Sequence, residues 1–420
     1  MIEKILFGIF QKEKARIISS LFKISRDLDL AEDAFQEACK IASTSWKEDK
    51  LPDKPAAWLT TVAKHSLFRR LKEDSLKRDS LINDLTEFSE DSELHLKNTT
   101  INGEHSKLRF LLALCSSNLP EKSRAALALS IFCGLTHSEI AKAFLDTDEA
   151  TRQMISRAKR KLKSKTNLKR IEDIYLKENI SSSSMSTILA TIYLLFNEGH
   201  LSSGKESFFR LELTQHALDL IRELIQWCNG DAEAEGLLAL MLFCQARKDG
   251  RISESGELVL LEMQDYALYD QAMISAAQNI LDAAISKRQP GQYQLQAAIA
   301  SLHCDSGPEK KIDWPQICAL YARLLEFNSS AVIQLNAAVA VAMAGELKKA
   351  VAWLNKIEKS QQLKKYHLFY AAKAELLMRL GSKAKSLKYL SSAIQLCQNK
   401  TEKLHLTKRM KAFEESPSAE

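Results

Sequence analysis

Helix-breaking residues are scarce in this chain: 420 residues carry only 13 Gly and 7 Pro. Alternating apolar and polar runs, the mark of a half-buried strand, are hard to find. Ala, Leu, Lys and Glu dominate instead, and these residues favour helix. The expectation is an all-α protein whose length suits two to three domains. Apolar residues make up 45% of the chain, ample for several cores.

Charge is unevenly spread. Residues 1–170 hold 31 Lys/Arg against 24 Asp/Glu, whereas the remaining 250 hold 28 against 29. The basic excess lies in the first part, as expected if only that part meets nucleic acid. It peaks across 151–170, where nine Lys/Arg occur without a single Asp/Glu. The eight cysteines, at 39, 115, 133, 228, 244, 304, 318 and 397, form no CxxC and no metal-type cluster. They read as reduced, mostly buried thiols of a cytoplasmic protein, with no metal or cofactor expected. No run approaches 18 apolar residues and no signal-peptide stretch opens the chain, so no membrane partner is expected.

Four blocks follow from the patterning: a helical module over 8–76, a polar linker over 77–106, a second module over 107–168, and a helical array over 180–415 preceded by the Ser181–Ser184 run. In the first module, Leu30–Trp46 carries Ala34, Phe35, Ala38, Ile41 and Ala42 as an apolar face. Asp33, Gln36, Glu37 and Lys40 form the polar one. Lys47–Pro55 reads as a loop, and the next helix starts near Pro55, a suitable first-turn residue. Its buried stripe is Leu59, Val62, Ala63, Leu67 and Leu71. Thr61, His65, Phe68, Arg69 and Lys72 lie opposite. Cations interleaved with an aromatic suit unstacked bases, and equally suit an ordinary basic helix with Phe68 tucked against a neighbour.

In the second module a helix from Leu119-Pro120 can run to Phe132, with Gly134 as its stop. Thr136-His137-Ser138-Glu139 matches a capping box, and its helix turns Ile140, Ala141 and Phe144 inward. Asp146-Thr147-Asp148 supplies a turn and a second cap. The last helix buries Ile155, Ala158 and Leu162. Two short capped helices, the second basic, predict a helix-turn-helix or a plain helical hairpin. In the first case Thr151, Arg152, Gln153 and Ser156 reach base edges, and Arg157, Lys159, Arg160 and on to Lys163 hold phosphates.

From 314 onward the pattern repeats. Gly345 and Gly381 lie 36 residues apart, and at that offset Trp353 maps to Tyr389, Leu354 to Leu390, Ala338 to Ala374 and Ala340 to Leu376. A period in the mid-thirties with Gly between paired helices predicts tetratricopeptide-like units, whose stacking makes a groove. Gly199–Glu206 comes close to a phosphate loop. Glu206 stands where a magnesium-binding hydroxyl is needed and no strand precedes it, so nucleotide binding is not expected. His200, Glu198 and Asp265 give no recognisable catalytic or metal motif, and no catalytic residue is assigned.

Taken in order, these blocks resemble bacterial sigma factors of the extracytoplasmic-function type within the sigma-70 family. Ala31–Ala38 (AEDAFQEA) is similar to the signature of region 2.1–2.2, and Trp58–Lys72 to the WL helix of regions 2.3–2.4. Leu119–Leu162 resembles region 4. The segments ILATIYLLFNEG (Ile188–Gly199), EGLLALMLFCQAR (Glu235–Arg247), GELVLLEMQD (Gly256–Asp265) and GQYQLQAAIA (Gly291–Ala300) resemble the subgroup with a fused tetratricopeptide-like C-terminal domain. The resemblance implies two small helical DNA- and polymerase-binding domains followed by a helical array. It implies that Asp33, Gln36 and Glu37 dock on core RNA polymerase. Lys47–Pro55 with Lys64, His65, Phe68, Arg69, Arg70 and Lys72 would melt and hold the −10 element, and region 4 would read the −35 element. The C-terminal domain would regulate activity through an intramolecular or protein partner. The chain departs from the pattern where Arg69 replaces an Asp, His65 an Asn, and Met154 a frequent Arg. The rival reading is a stand-alone helix-turn-helix regulator whose array senses a ligand or peptide.

Overall fold

The computed structural model describes residues 2–47, 51–79, 106–163, 181–200, 210–253, 259, 261–305 and 311–415. Among them the structure is helical, with no β-strand. The chain divides into two compact units, Met1–Ala141 with Asp146–Thr191 and Lys142–Leu145 with Ile192–Glu420.

The first unit opens with α1 (Ile2–Ser25), α2 (Leu28–Ser45) and α3 (Pro55–Asp79), all three in mutual contact. Arg26 adopts a left-handed φ of 55°, which breaks α1 from α2. Asp27 then caps α2 by accepting from the Asp29 backbone N–H at 2.9 Å. Ala31, Ala34, Phe35, Ala38 and Ala42 form the buried stripe of α2. Small side chains there let α3 approach closely, with Leu59, Ala63 and Leu67 buried on its own inner face. Ile41 departs from expectation: it is 38% exposed, because the helical register turns it toward the polar face.

The same unit contains α4 (Ser106–Cys115), α5 (Glu121–Ile131), α6 (His137–Ala143) as far as Ala141, α7 (Asp148–Leu162) and the start of α8 (Ser182–His200). The two modules that the sequence separates share a core here. Phe110 of α4 lies 6.3 Å from Phe22 of α1 and 6.4 Å from Phe132, ring centre to ring centre. None of the three is more than 2% exposed, and each contributes about 2–3 kcal/mol by burial. Lys14 of α1 also donates to the Ser130 carbonyl at 3.1 Å. Most of the polar stretch at 77–106 lies outside the described residues; its first residues extend α3 to Asp79. The Ser181–Ser184 run is the beginning of α8, not a separate approach to it. Ser116 donates to Ser184 at 2.7 Å, and Arg124 donates to Ser183 and to the Cys115 carbonyl, each at 2.9 Å.

The second unit continues α8 through Gly199 to His200. It adds α9 (Leu211–Trp227), α10 (Ala232–Ala246), α11 (Gln271–Ser286) and α12 (Gln292–Cys304). Helix α10 is buried on every side, as an apolar helix without a polar face must be. A Cβ on its Gly236 would meet the Gln294 backbone nitrogen at 2.7 Å, so only glycine admits α12 at this distance. The remaining helices are α13 (Trp314–Phe327), α14 (Ala331–Met343), α15 (Leu347–Lys359), α16 (His367–Arg379), α17 (Lys383–Leu396) and α18 (Lys400–Glu415), each packed on the next. Gly345 and Gly381 close the α14–α15 and α16–α17 hairpins at φ of 100° and 76°. Burial follows the 36-residue offset: Leu354 and Leu390, Ala338 and Ala374, and Ala340 and Leu376 are all buried. The phosphate-loop-like residues 201–209 lie outside the described residues.

Candidate nucleic-acid and protein interfaces

The helix-turn-helix region is built as its caps dictate. The Thr136 backbone N–H donates to Glu139 Oε2 at 2.7 Å, and the Glu139 N–H donates to Thr136 Oγ1 at 3.3 Å, a reciprocal capping box at the start of α6. Ile140 and Ala141 are buried behind it and Phe144 is half-buried. Leu145 then adopts a left-handed φ of 53°, a turn that no glycine announces in the sequence. Thr147 caps α7, accepting from the Ala150 N–H at 3.1 Å.

Helix α7 buries Thr151, Ile155, Ala158 and Leu162, spaced at i, i+4, i+7 and i+11. The placement corrects one expectation: Thr151 is fully buried on the core stripe and presents nothing to a base edge. Arg152, Gln153, Ser156, Arg157 and Arg160 are exposed on the outward side. Glu149 holds the first two, accepting from Arg152 at 3.0 Å and Gln153 at 2.8 Å, while Arg157 donates to Gln153 at 2.9 Å. These are bonds along one exposed helix face, and such pairs add only a few tenths of a kcal/mol each. A ligand carrying phosphates can replace them. The basic residues beyond Lys163, up to Arg170, lie outside the described residues.

Lys159 departs from that outward face. Its ammonium bonds Glu32 and lies 3.2 Å from Asp29, both on α2. Lys163 reaches Asp27 at 2.8 Å and Asp29 at 3.1 Å. Burial opposes the charge of Lys159, but the two acids hold its pKa above the ordinary value. Hydrogen bonds donated to Asp27 and Asp29 do the same for Lys163. Lys159 therefore contacts protein, not solvent, in this arrangement.

The polar face of α2 meets α3 through Glu37. Ser66 donates to Glu37 at 2.6 Å, Arg70 donates to it at 3.0 Å, and Arg69 bonds its other oxygen. The Ser66 hydrogen bond, aided by Arg70 and Arg69 against some burial, lowers the Glu37 pKa to about 2. Arg70 also reaches Asp33 at 3.2 Å. Asp33, Gln36 and Glu37 thus line one groove with the exposed Ile41 and with Arg69 and Arg70. Residues expected to serve a protein partner and residues expected to serve DNA share this surface. On the rest of α3, His65 and Lys72 are exposed and Phe68 is half-buried. Lys64 corrects expectation: it is 8% exposed, on the inner side next to Ala63, and burial lowers its pKa. Ile41 at the groove and Ser66 as the buried partner of Glu37 were not expected; the sequence signal lay only in their register one helical turn from Glu37 and Arg70.

A capped helix-turn-helix with an outward cationic face, beside a helical module with an acid-lined groove, defines a DNA-binding protein equipped to meet a second macromolecule. Comparison with known proteins makes the class specific. Residues 9–76 match Sigma-70 region 2, residues 109–162 match Sigma-70, region 4, and residues 184–285 match a family of unknown function (DUF6596). The chain is also 32% identical over 412 residues to an uncharacterized protein of Rhizobium meliloti (strain 1021), covering 96% of this chain and 95% of that one. The chain belongs to the sigma-70 family, as a sigma factor of the extracytoplasmic-function type with a fused helical C-terminal domain. Its role is to bind RNA polymerase and recognise promoters, so it is a transcription initiation factor and not an enzyme. No described helix is long and apolar enough to cross a membrane.

Proposed function

We propose that the α2 groove, centred on Asp33, Gln36, Glu37 and Ile41, docks on core RNA polymerase in the cytoplasm. The α3 residues His65, Arg69 and Lys72, which are exposed, and Phe68 and Arg70, which are half-buried, then open and hold the −10 element. Arg152, Gln153 and Ser156 read −35 bases, and Arg157 and Arg160 hold the flanking phosphates. The observation that carries the reading is the segregation on α7: a complete core stripe on one side and five exposed polar or cationic side chains on the other. The C-terminal helices act as a tetratricopeptide-like module that regulates this activity from within the chain.

The compact first unit is a resting form in this reading. Elements centred at −10 and −35 lie about 25 base pairs, roughly 85 Å, apart on B-DNA. Helices joined directly by Lys159 and Asp29 cannot reach both, so the two modules separate when polymerase binds. Lys159 and Lys163 exchange their α2 carboxylates for phosphates on that transition.

The test is transcription in vitro with purified core enzyme over a random promoter library. The expected outcome is transcripts from templates sharing two separated elements, with the upstream one altered by Gln153→Ala. Transcripts with no upstream preference, or a preference untouched by every α7 variant, would overturn the residue assignment.

A further inference from the structure

Three residues far apart in sequence converge at the end of the second unit. His367 is the first residue of α16, Cys397 follows α17, and Glu402 lies in the first turn of α18. Their donor atoms all lie within 4.8 Å of one another. His367 Nε2 is 3.0 Å from Glu402 Oε2, and Cys397 Sγ is 3.8 Å from the same oxygen. No spacing in the sequence marks a metal-type cluster around Cys397, because the α16–α17 hairpin separates it from His367.

We propose that His367, Cys397 and Glu402 form a binding site for Zn2+ or a divalent ion of similar softness, open at its fourth position. A tetrahedral zinc with bonds of about 2.3 Å to sulfur and about 2.0–2.2 Å to nitrogen and oxygen needs donor atoms roughly 3.4–3.6 Å apart. The observed separations of 3.0 and 3.8 Å bracket that span, so small side-chain adjustments suffice. Thiolate, carboxylate and neutral imidazole together cancel a divalent charge, and the mixed sulfur, nitrogen and oxygen set suits zinc over magnesium or calcium.

The surroundings hold the donors in place. Cys397 is 3% exposed, and its thiol also lies 3.5 Å from the Asn399 carbonyl. Asn399, itself buried, caps α18 by accepting from the Thr401 and Glu402 N–H groups at 3.0 and 3.2 Å. That cap fixes the Glu402 backbone relative to Cys397. Bound metal ties α18 to the α16–α17 hairpin and makes the end of the array responsive to metal supply.

The experiment is titration of the full-length, chelator-treated chain with Co2+, followed by displacement with Zn2+. The expected result is one equivalent bound, with tetrahedral visible bands and a thiolate charge-transfer band, and a raised Tm. Cys397→Ser removes the charge-transfer band while the other seven cysteines remain. Glu402→Gln keeps the helix cap and weakens binding about tenfold or more, the scale on which even supporting residues act. Absence of these bands in the native chain, or bands and affinity in both variants equal to those of the native chain, would overturn the site. Should Cys397→Ser not fold, the Glu402→Gln affinity decides alone.

Discussion

Lys159 of α7 stands 3.2 Å from Asp29 of α2, so the basic end of α7 is neutralised by an acidic residue of the neighbouring helical module. Lys159 is only 20% exposed, whereas Asp29 is about half exposed, so solvent and salt screen the pair from the Asp29 side. Asp29 is linked to both Lys159 and Lys163, and despite its partial burial these cations lower its pKa.

Breaking this link is predicted to loosen the first unit. With fluorescent labels on α2 and α7, Asp29→Lys combined with Glu32→Lys should lengthen the separation, and added salt should lengthen it in the native chain. Equal separations in both proteins at all salt concentrations would refute a charge-held resting form.

Phosphate contacts make their own prediction. Arg157→Ala and Arg160→Ala should each weaken holoenzyme binding to every promoter and reduce the slope of log K against log salt by about 0.9. Gln153→Ala should instead cost about 1–3 kcal/mol at one base position and relax preference there. A uniform loss from Gln153→Ala, or a sequence-specific one from Arg160→Ala, contradicts the assigned roles.

Glu37 sets an acid limit. Its pKa is lowered to about 2 in the folded chain, so its contribution to stability is complete above the unfolded value near 4.3. The contribution is lost as pH falls from there toward about 2. Native unfolding followed across this window should show a steeper loss than Glu37→Gln. Parallel pH profiles would remove Glu37 as the hub of the α2–α3 junction.

Much of this was legible beforehand, and the reasons are local. The capping box at Thr136 and Glu139 and the Thr147 cap depend on neighbours within one turn, and the 36-residue offset is a pattern that recurs along the chain, so sequence displays all three directly. The missed features depend on pairing between distant segments. Phe22, Phe110 and Phe132 form one core across an apparent linker, and nothing in periodicity announces their partners. Thr151 reads as polar, yet its register with Ile155 assigns it inward. Lys64 likewise follows Ala63 to the buried side through the tight α2–α3 approach.

The hairpin glycines offer a stability test. Gly345 has φ of 100° and nothing within 4 Å of a built Cβ, so Gly345→Ala meets no clash and isolates the backbone term. The cost should be about 1–2 kcal/mol, measured by denaturant midpoint. An unchanged midpoint would show that the turn tolerates another conformation.

The most direct measurement is gel filtration of the purified full chain with core RNA polymerase, followed by promoter-dependent transcription from the co-eluting fraction. The expected result is a stoichiometric complex that starts transcripts, and loss of both complex and transcripts when Asp33→Lys is combined with Gln36→Ala. A chain that elutes apart from core enzyme and starts no transcript, or a double variant indistinguishable from native, would contradict it.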